Sequence, residues 1–85
     1  MTFGRDLYRV RRSLPGNGYR MTTQSQFADR FGLALGVVQD AEQDRSRPSR
    51  VMRVLVAAIE LDPGLIDRAV VLAAERERVE RDPRN

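Results

Sequence analysis

The chain contains no cysteine, no histidine, no lysine and no tryptophan. Without cysteine there can be no disulfide and no thiolate-held metal. Without histidine there is no imidazole for acid–base catalysis, no Ser-His triad and no histidine-ligated zinc. No glycine-rich phosphate loop replaces them. The carboxylates that remain sit where helix caps and surface charges belong. The expectation is therefore a protein that is not an enzyme and needs no cofactor or metal. There is also no apolar run of the length a membrane-crossing helix needs, about 18 residues. The opening Met1-Thr2-Phe3-Gly4-Arg5-Asp6 lacks the apolar core of a signal peptide. A cytoplasmic location with no membrane contact is expected.

The 85 residues leave room for a single domain over 1–85. A chain of this size buries only about 60–65% of its unfolded surface, so a second subunit would help it. All 15 basic side chains are arginine. That fits either an arginine-favouring codon bias or a need for guanidinium groups, which grip phosphate well. The charge is unevenly placed. Residues 1–20 hold five arginines against Asp6, and residues 45–53 hold Arg45, Arg47, Arg50 and Arg53 with no acid. Between them, Asp29, Asp40, Glu42 and Asp44 outweigh Arg30. Two basic blocks around an acidic middle suit a nucleic-acid partner.

The periodicity predicts five helices and no strand. Phe3, Leu7, Val10 and Leu14 make one helical stripe over 3–14. Pro15-Gly16-Asn17-Gly18 ends it as a loop. Thr23 to Gln26 reads as a capping box opening a second helix, with Phe27, Ala28 and Phe31 on one face and Gly32 as terminator. A third helix is expected from about Leu35 to Gln43, with Val38 in the core and Leu35 or Ala41 helping. A glycine-bearing turn between two such short helices forces a sharp angle. Ser49 caps a fourth helix whose buried stripe is expected to be Val51, Met52, Leu55, Ala58 and Ile59. Asp62-Pro63 opens a fifth, about 63–81, with Leu65, Ile66, Ala69, Val70, Leu72 and Ala73 as its apolar face and Pro83 as its stop.

The pattern Gln24-x-x-Phe27-Ala28-x-x-Phe31-Gly32, then Val38-x-x-x-Glu42-Gln43-x-Arg45-x-Arg47-Pro48-Ser49, resembles the Cro/C1-type (XRE) helix-turn-helix family. The likeness covers about residues 22–70 and is closest to small regulators and HigA-like antitoxins. It implies an all-α, five-helix, lambda-repressor-like domain with its fifth helix extended at the C-terminus, the helix-turn-helix lying at about 23–43. It further implies a transcriptional regulator that binds an inverted-repeat operator on double-stranded DNA as a homodimer, at its own operon or on a mobile element. The chain departs from the family pattern at Ala41 for tryptophan, Asp44 for glycine and Ala34 for a serine or threonine cap, and it adds residues in the loop after helix 1.

By the resemblance, the third helix enters the major groove and presents Leu35, Gly36, Val37, Gln39 and Asp40 to the bases. Gln24, Arg45, Arg47 and Arg50 fall on the DNA backbone. Gln39 can pair with adenine and Asp40 can accept from a cytosine amino group, whereas the rest offer only apolar contact. With so few donors, arginine–phosphate contacts and DNA shape are expected to carry more of the affinity. Glu42 is expected to pair with a nearby arginine and hold the loop. For Arg5, Arg9, Arg11 and Arg12, solvated surface and a DNA or partner role both remain open. Leu65, Leu72 and Val79 recur at seven-residue spacing. With Ala69 and Ala73 allowing close approach, Leu65, Ala69, Leu72 and Ala73 are a candidate dimer seam. Packing on the parent domain is the other reading of that face. The alternative function is an antitoxin or anti-activator that works mainly by binding a protein partner, a toxin or regulator.

Overall fold

The computed structural model describes residues 2–15 and 21–81. Gly16, Asn17 and Gly18 of the expected loop, and the expected stop Pro83, lie outside the described residues. The described chain is all-helical: α1 (Phe3–Ser13), α2 (Gln24–Phe31), α3 (Leu35–Glu42), α4 (Arg50–Leu61) and α5 (Pro63–Arg81). The only β feature among the described residues is an isolated antiparallel bridge between Pro15 and Met21. No described helix is long and apolar enough to cross a membrane.

Local chemistry sets most of the boundaries. Thr2, Thr23 and Ser49 each accept the backbone N–H three residues on, at 3.0–3.2 Å, and so cap α1, α2 and α4. The capping box at α2 is complete, because Gln26 Oε1 accepts the Thr23 N–H at 2.9 Å. Gly32 ends α2 in the left-handed region at φ 69°, where a Cβ is costly, and the Leu33 N–H returns to the Ala28 carbonyl at 2.9 Å. Asp62 serves two helices. Its N–H bonds back to Ala58, and its carboxylate accepts the Leu65 N–H at 3.1 Å, with Pro63 in the first helical position. The first helix closes one residue early, with Leu14 as its cap.

The core joins four helices. Leu7, Val10 and Leu14 come from α1 and its cap, and Phe27, Ala28 and Phe31 from α2. Val38 and Ala41 come from α3, and Val56 and Ile59 from α4. The Phe27 and Phe31 rings meet edge to face with centroids 4.8 Å apart. Ala41 rather than Leu35 supports Val38 in α3, since Leu35 is exposed.

Two expected stripes need correction. On α4 the fully buried residues are Val56 and Ile59, with Met52, Leu55 and Ala58 half-buried. Val51, expected inside, is 78% exposed. At 100° per residue, α4 carries two adjacent apolar faces, and only the one centred between Val56 and Met52 reaches the core. On α5 no residue is fully buried. Ile66 packs against the core and Val70 is half-buried, while Leu65, Ala69, Leu72 and Ala73 are exposed.

A charge pair adds to the packing of Ile66 and Val70 in holding α5. Arg30 Nε and Nη2 donate to Asp67 Oδ1 and Oδ2 at 2.8 and 2.9 Å, a bidentate tie from α2 to α5. The hydrogen bond from Arg30 holds the Asp67 carboxyl below its ordinary value. A depressed carboxyl stabilises the fold above its unfolded-state value, and that contribution is lost as pH falls through the lower folded-state value. Asp67→Asn should therefore lower the melting temperature by a few degrees at pH 7. The difference from wild type should close once the pH drops well below about 4, as followed by circular dichroism.

Candidate nucleic-acid interface

The outward side of α3 is open. Leu35 and Val37 are 40% and 49% exposed, Gln39 is exposed, Asp40 is half-buried, and a Cβ built on Gly36 would meet nothing within 4 Å. Val38, Ala41 and the Glu42 side chain face inward. At helical spacing, Gly36, Gln39 and Asp40 form the middle of the outer face, with Leu35 and Val37 on opposite shoulders. All five expected base-facing residues thus share the free side of one short helix. Ala34 begins that helix without any side-chain cap.

The C-terminal end of α3 is fixed by α1. Arg11 Nε and Nη2 donate to Glu42 Oε2 and Oε1 at 2.7 and 2.9 Å, and Arg11 Nη1 donates to the Thr22 carbonyl at 2.8 Å. Gln24 Nε2 adds a bond to Glu42 Oε1 at 3.3 Å. The Arg11 and Glu42 side chains are 12% and 6% exposed. Buried charges are tolerated only when paired and hydrogen-bonded, and both conditions are met. The expected partner of Glu42 was a neighbouring arginine holding the loop. The structure supplies Arg11 from α1, thirty-one positions away in sequence. Gln24, expected on a phosphate, is half-buried against Glu42.

Gly4 completes the clamp. A Cβ there would lie 2.5 Å from the Glu42 carbonyl oxygen and 2.7 Å from that of Ala41, so α1 can approach the end of α3 only with glycine. The Gly4 N–H donates to Asp44 Oδ1 at 3.0 Å. Asp44 sits in the left-handed region at φ 54°, which aspartate tolerates better than most residues. Arg45 N–H to the Asp40 carbonyl (2.9 Å) and Asp44 N–H to the Ala41 carbonyl (3.2 Å) close a Schellman end. Asp44 therefore fills a place that usually suits glycine and uses its carboxylate to cap a different helix.

This chain matches no family model, no curated protein and no solved structure.

The basic block of residues 45–53 divides. Arg45 lies 3.8 Å from Asp40, a loose exposed pair. Arg47 and Arg50 are exposed and form no ion pair among the described residues. Arg53 turns the other way and lies over the Phe3 ring at 5.6 Å, on the α1 side. The α1 arginines also divide. Arg9 pairs with Glu60 at 2.7 Å, its hydrogen bond lowering the Glu60 carboxyl from its ordinary value, while Arg11 is taken up by Glu42 and Arg12 bonds the Tyr8 hydroxyl. These contacts of Arg9, Arg11 and Arg12 are structural; Arg47 beside α3, Arg50 on α4 and Arg5 on α1 are exposed and form no ion pair among the described residues.

Removing one member of the nearly buried pair should be costly. Arg11→Met or Glu42→Leu alone strands a charge and should destabilise the fold by about 3–5 kcal/mol. The double variant should recover most of that loss. Urea denaturation of the four proteins of the cycle checks it, and equal losses that simply add would contradict the coupling.

Proposed function

We propose that the chain is a sequence-specific DNA-binding transcriptional regulator of helix-turn-helix type, with α2 and α3 as the motif and α3 lying in the major groove. The observation that carries this reading is the free outer side of α3 beside the exposed Arg47, which forms no ion pair among the described residues. A short helix can enter a groove about 12 Å wide only if its outer side is unoccupied and its flanks carry no net negative charge. Supporting it further is the Arg11–Glu42 clamp, which fixes the helix before any ligand arrives. Gln39 is the one long donor on that side, and Arg45, Arg47 and Arg50 serve the phosphates. Gln24 and the residues around it act as support.

The reading includes a homodimer. Leu65, Leu72 and Val79 on α5 are 49%, 47% and 45% exposed, and Ala69 and Ala73 lie on the same exposed side. Two copies joined through this seam would offer two α3 helices to half-sites about 34 Å apart. A second reading, an antitoxin or anti-activator acting on a protein, is favoured by the apolar shoulders Leu35 and Val37.

Fluorescence anisotropy with duplexes from the DNA flanking the gene is the direct test. Salt-sensitive binding to an inverted repeat is expected, and no binding to any duplex at low salt would overturn the regulator reading. Arg47→Ala should weaken binding across all sequences and reduce the salt slope by about one. Gln39→Ala should change preference at a single base pair. Leu72→Glu should shift sedimentation toward the monomer and weaken binding to the full repeat much more than to one half-site.

A further inference from the structure

A groove of about 360 Å³ runs between α3 and the start of α4. Its floor is apolar: Leu33, Met52 and Leu55 are half-buried side chains that pack against the core. Val37 and Val51, 49% and 78% exposed, form its walls with Pro48. Because the floor rests on the core, the groove is preformed, and its size lies at the low end of the range for binding clefts, about 300–1,000 Å³. Arg47 lines it, and Arg45 stands on the loop leading in. Among the described residues Asp40 is the only acid lining it, and Arg45 lies 3.8 Å away.

We propose that this groove docks an acidic amphipathic helix of a partner protein, with a bulky aliphatic or aromatic anchor on the Leu33–Met52–Leu55 floor and flanking carboxylates on Arg47 and on Arg45 at its entrance. The chemistry separates this occupant from DNA. Phosphates would use the arginine rim but gain nothing from an apolar floor, and base edges reach α3 from the side of Gly36 and Gln39. A helix with apolar residues at i, i+3 and i+4 and acids beside them uses both parts. The exposure of Val51 then has a cause, since burial against an anchor would remove from water a valine that the monomer leaves bare. The proposal deepens the protein-binding reading and rests on it, and duplex binding is not needed for it.

The test uses the full chain and a fluorescein-labelled peptide of about 14 residues, helical by design, with leucines at i, i+3, i+4 and i+7 and glutamates elsewhere. Methyl NMR of the full chain, titrated with the peptide, should shift Leu33, Val37, Val51, Met52 and Leu55. Replacing the leucines with serine at constant charge should weaken binding at least tenfold. Val51→Glu should do the same. That position lies in the first turn of α4, where an acid favours the helix, so lost binding would not be lost folding. Shifts confined to α5 or α1 would overturn the groove and leave the protein-binding reading standing. No binding of the peptide at millimolar concentration would overturn the groove. Equal binding of the serine control would mean charge alone, which also overturns it. Labelled duplex added to the chain in the absence of peptide reports on the regulator reading separately.

Discussion

The placement of α3 depends on one nearly buried ion pair. Arg11 and Glu42 are too poorly solvated to stand alone, and each uses its remaining hydrogen-bonding capacity on a neighbour: Arg11 on the Thr22 carbonyl, Glu42 on the Gln24 amide. One cluster therefore ties α1, the segment entering α2, and α3. It does so at the end of α3 away from Ala34, so the open side of the helix is left untouched. The same arrangement demands Gly4, because the guanidinium can reach the carboxylate only if the start of α1 comes close to the last carbonyls of α3. Loss of any of these side chains would be felt first as a change in where α3 sits.

The helices were legible in the sequence because their ends are written in local chemistry. Thr23 with Gln26, Gly32, Ser49 and Asp62-Pro63 act over three or four residues, within reach of spacing arguments. The stripe of α1 and the Phe27, Ala28, Phe31 and Val38 core were legible for the same reason. What was not legible depends on contacts between distant segments. Whether Glu42 would find Arg11 or Arg45 is decided by the fold. A signal did exist for the close approach: Gly4 stands three residues before Leu7, on the core side of an otherwise good helix. Arginine contacts were the least readable. A block such as Arg45 to Arg53 looks uniform in sequence, yet Arg53 turns back to Phe3 while Arg47 faces the groove.

Helix α4 shows where periodicity misleads. It is apolar over a wider arc than one neighbour can cover, so the stripe drawn from sequence merged two faces. Val56 and Ile59 belong to the core, whereas Val51, Val54 and Leu61 are 78%, 60% and 86% exposed. A wide apolar arc on a small domain marks a surface that does more than fold the monomer. Here the excess lies on one arc of α4, running from Val51 beside the α3 groove through Val54 to Leu61.

The far half of α5 leaves the body of the protein. From Val71 to Arg81 every residue is exposed, and the charges there alternate through Glu75, Arg76, Glu77 and Arg78. A helix of that length with no tertiary support frays readily, because isolated helices shorter than about 12–15 residues are marginal in water. Its amides should exchange with deuterium far sooner than those around Ile66, and trypsin should clip at Arg76, Arg78 and Arg81 while sparing the nearly buried Arg11. A second helix lying along it would slow both processes, so the rate at which the tail is trimmed becomes a measure of how many chains are bound together.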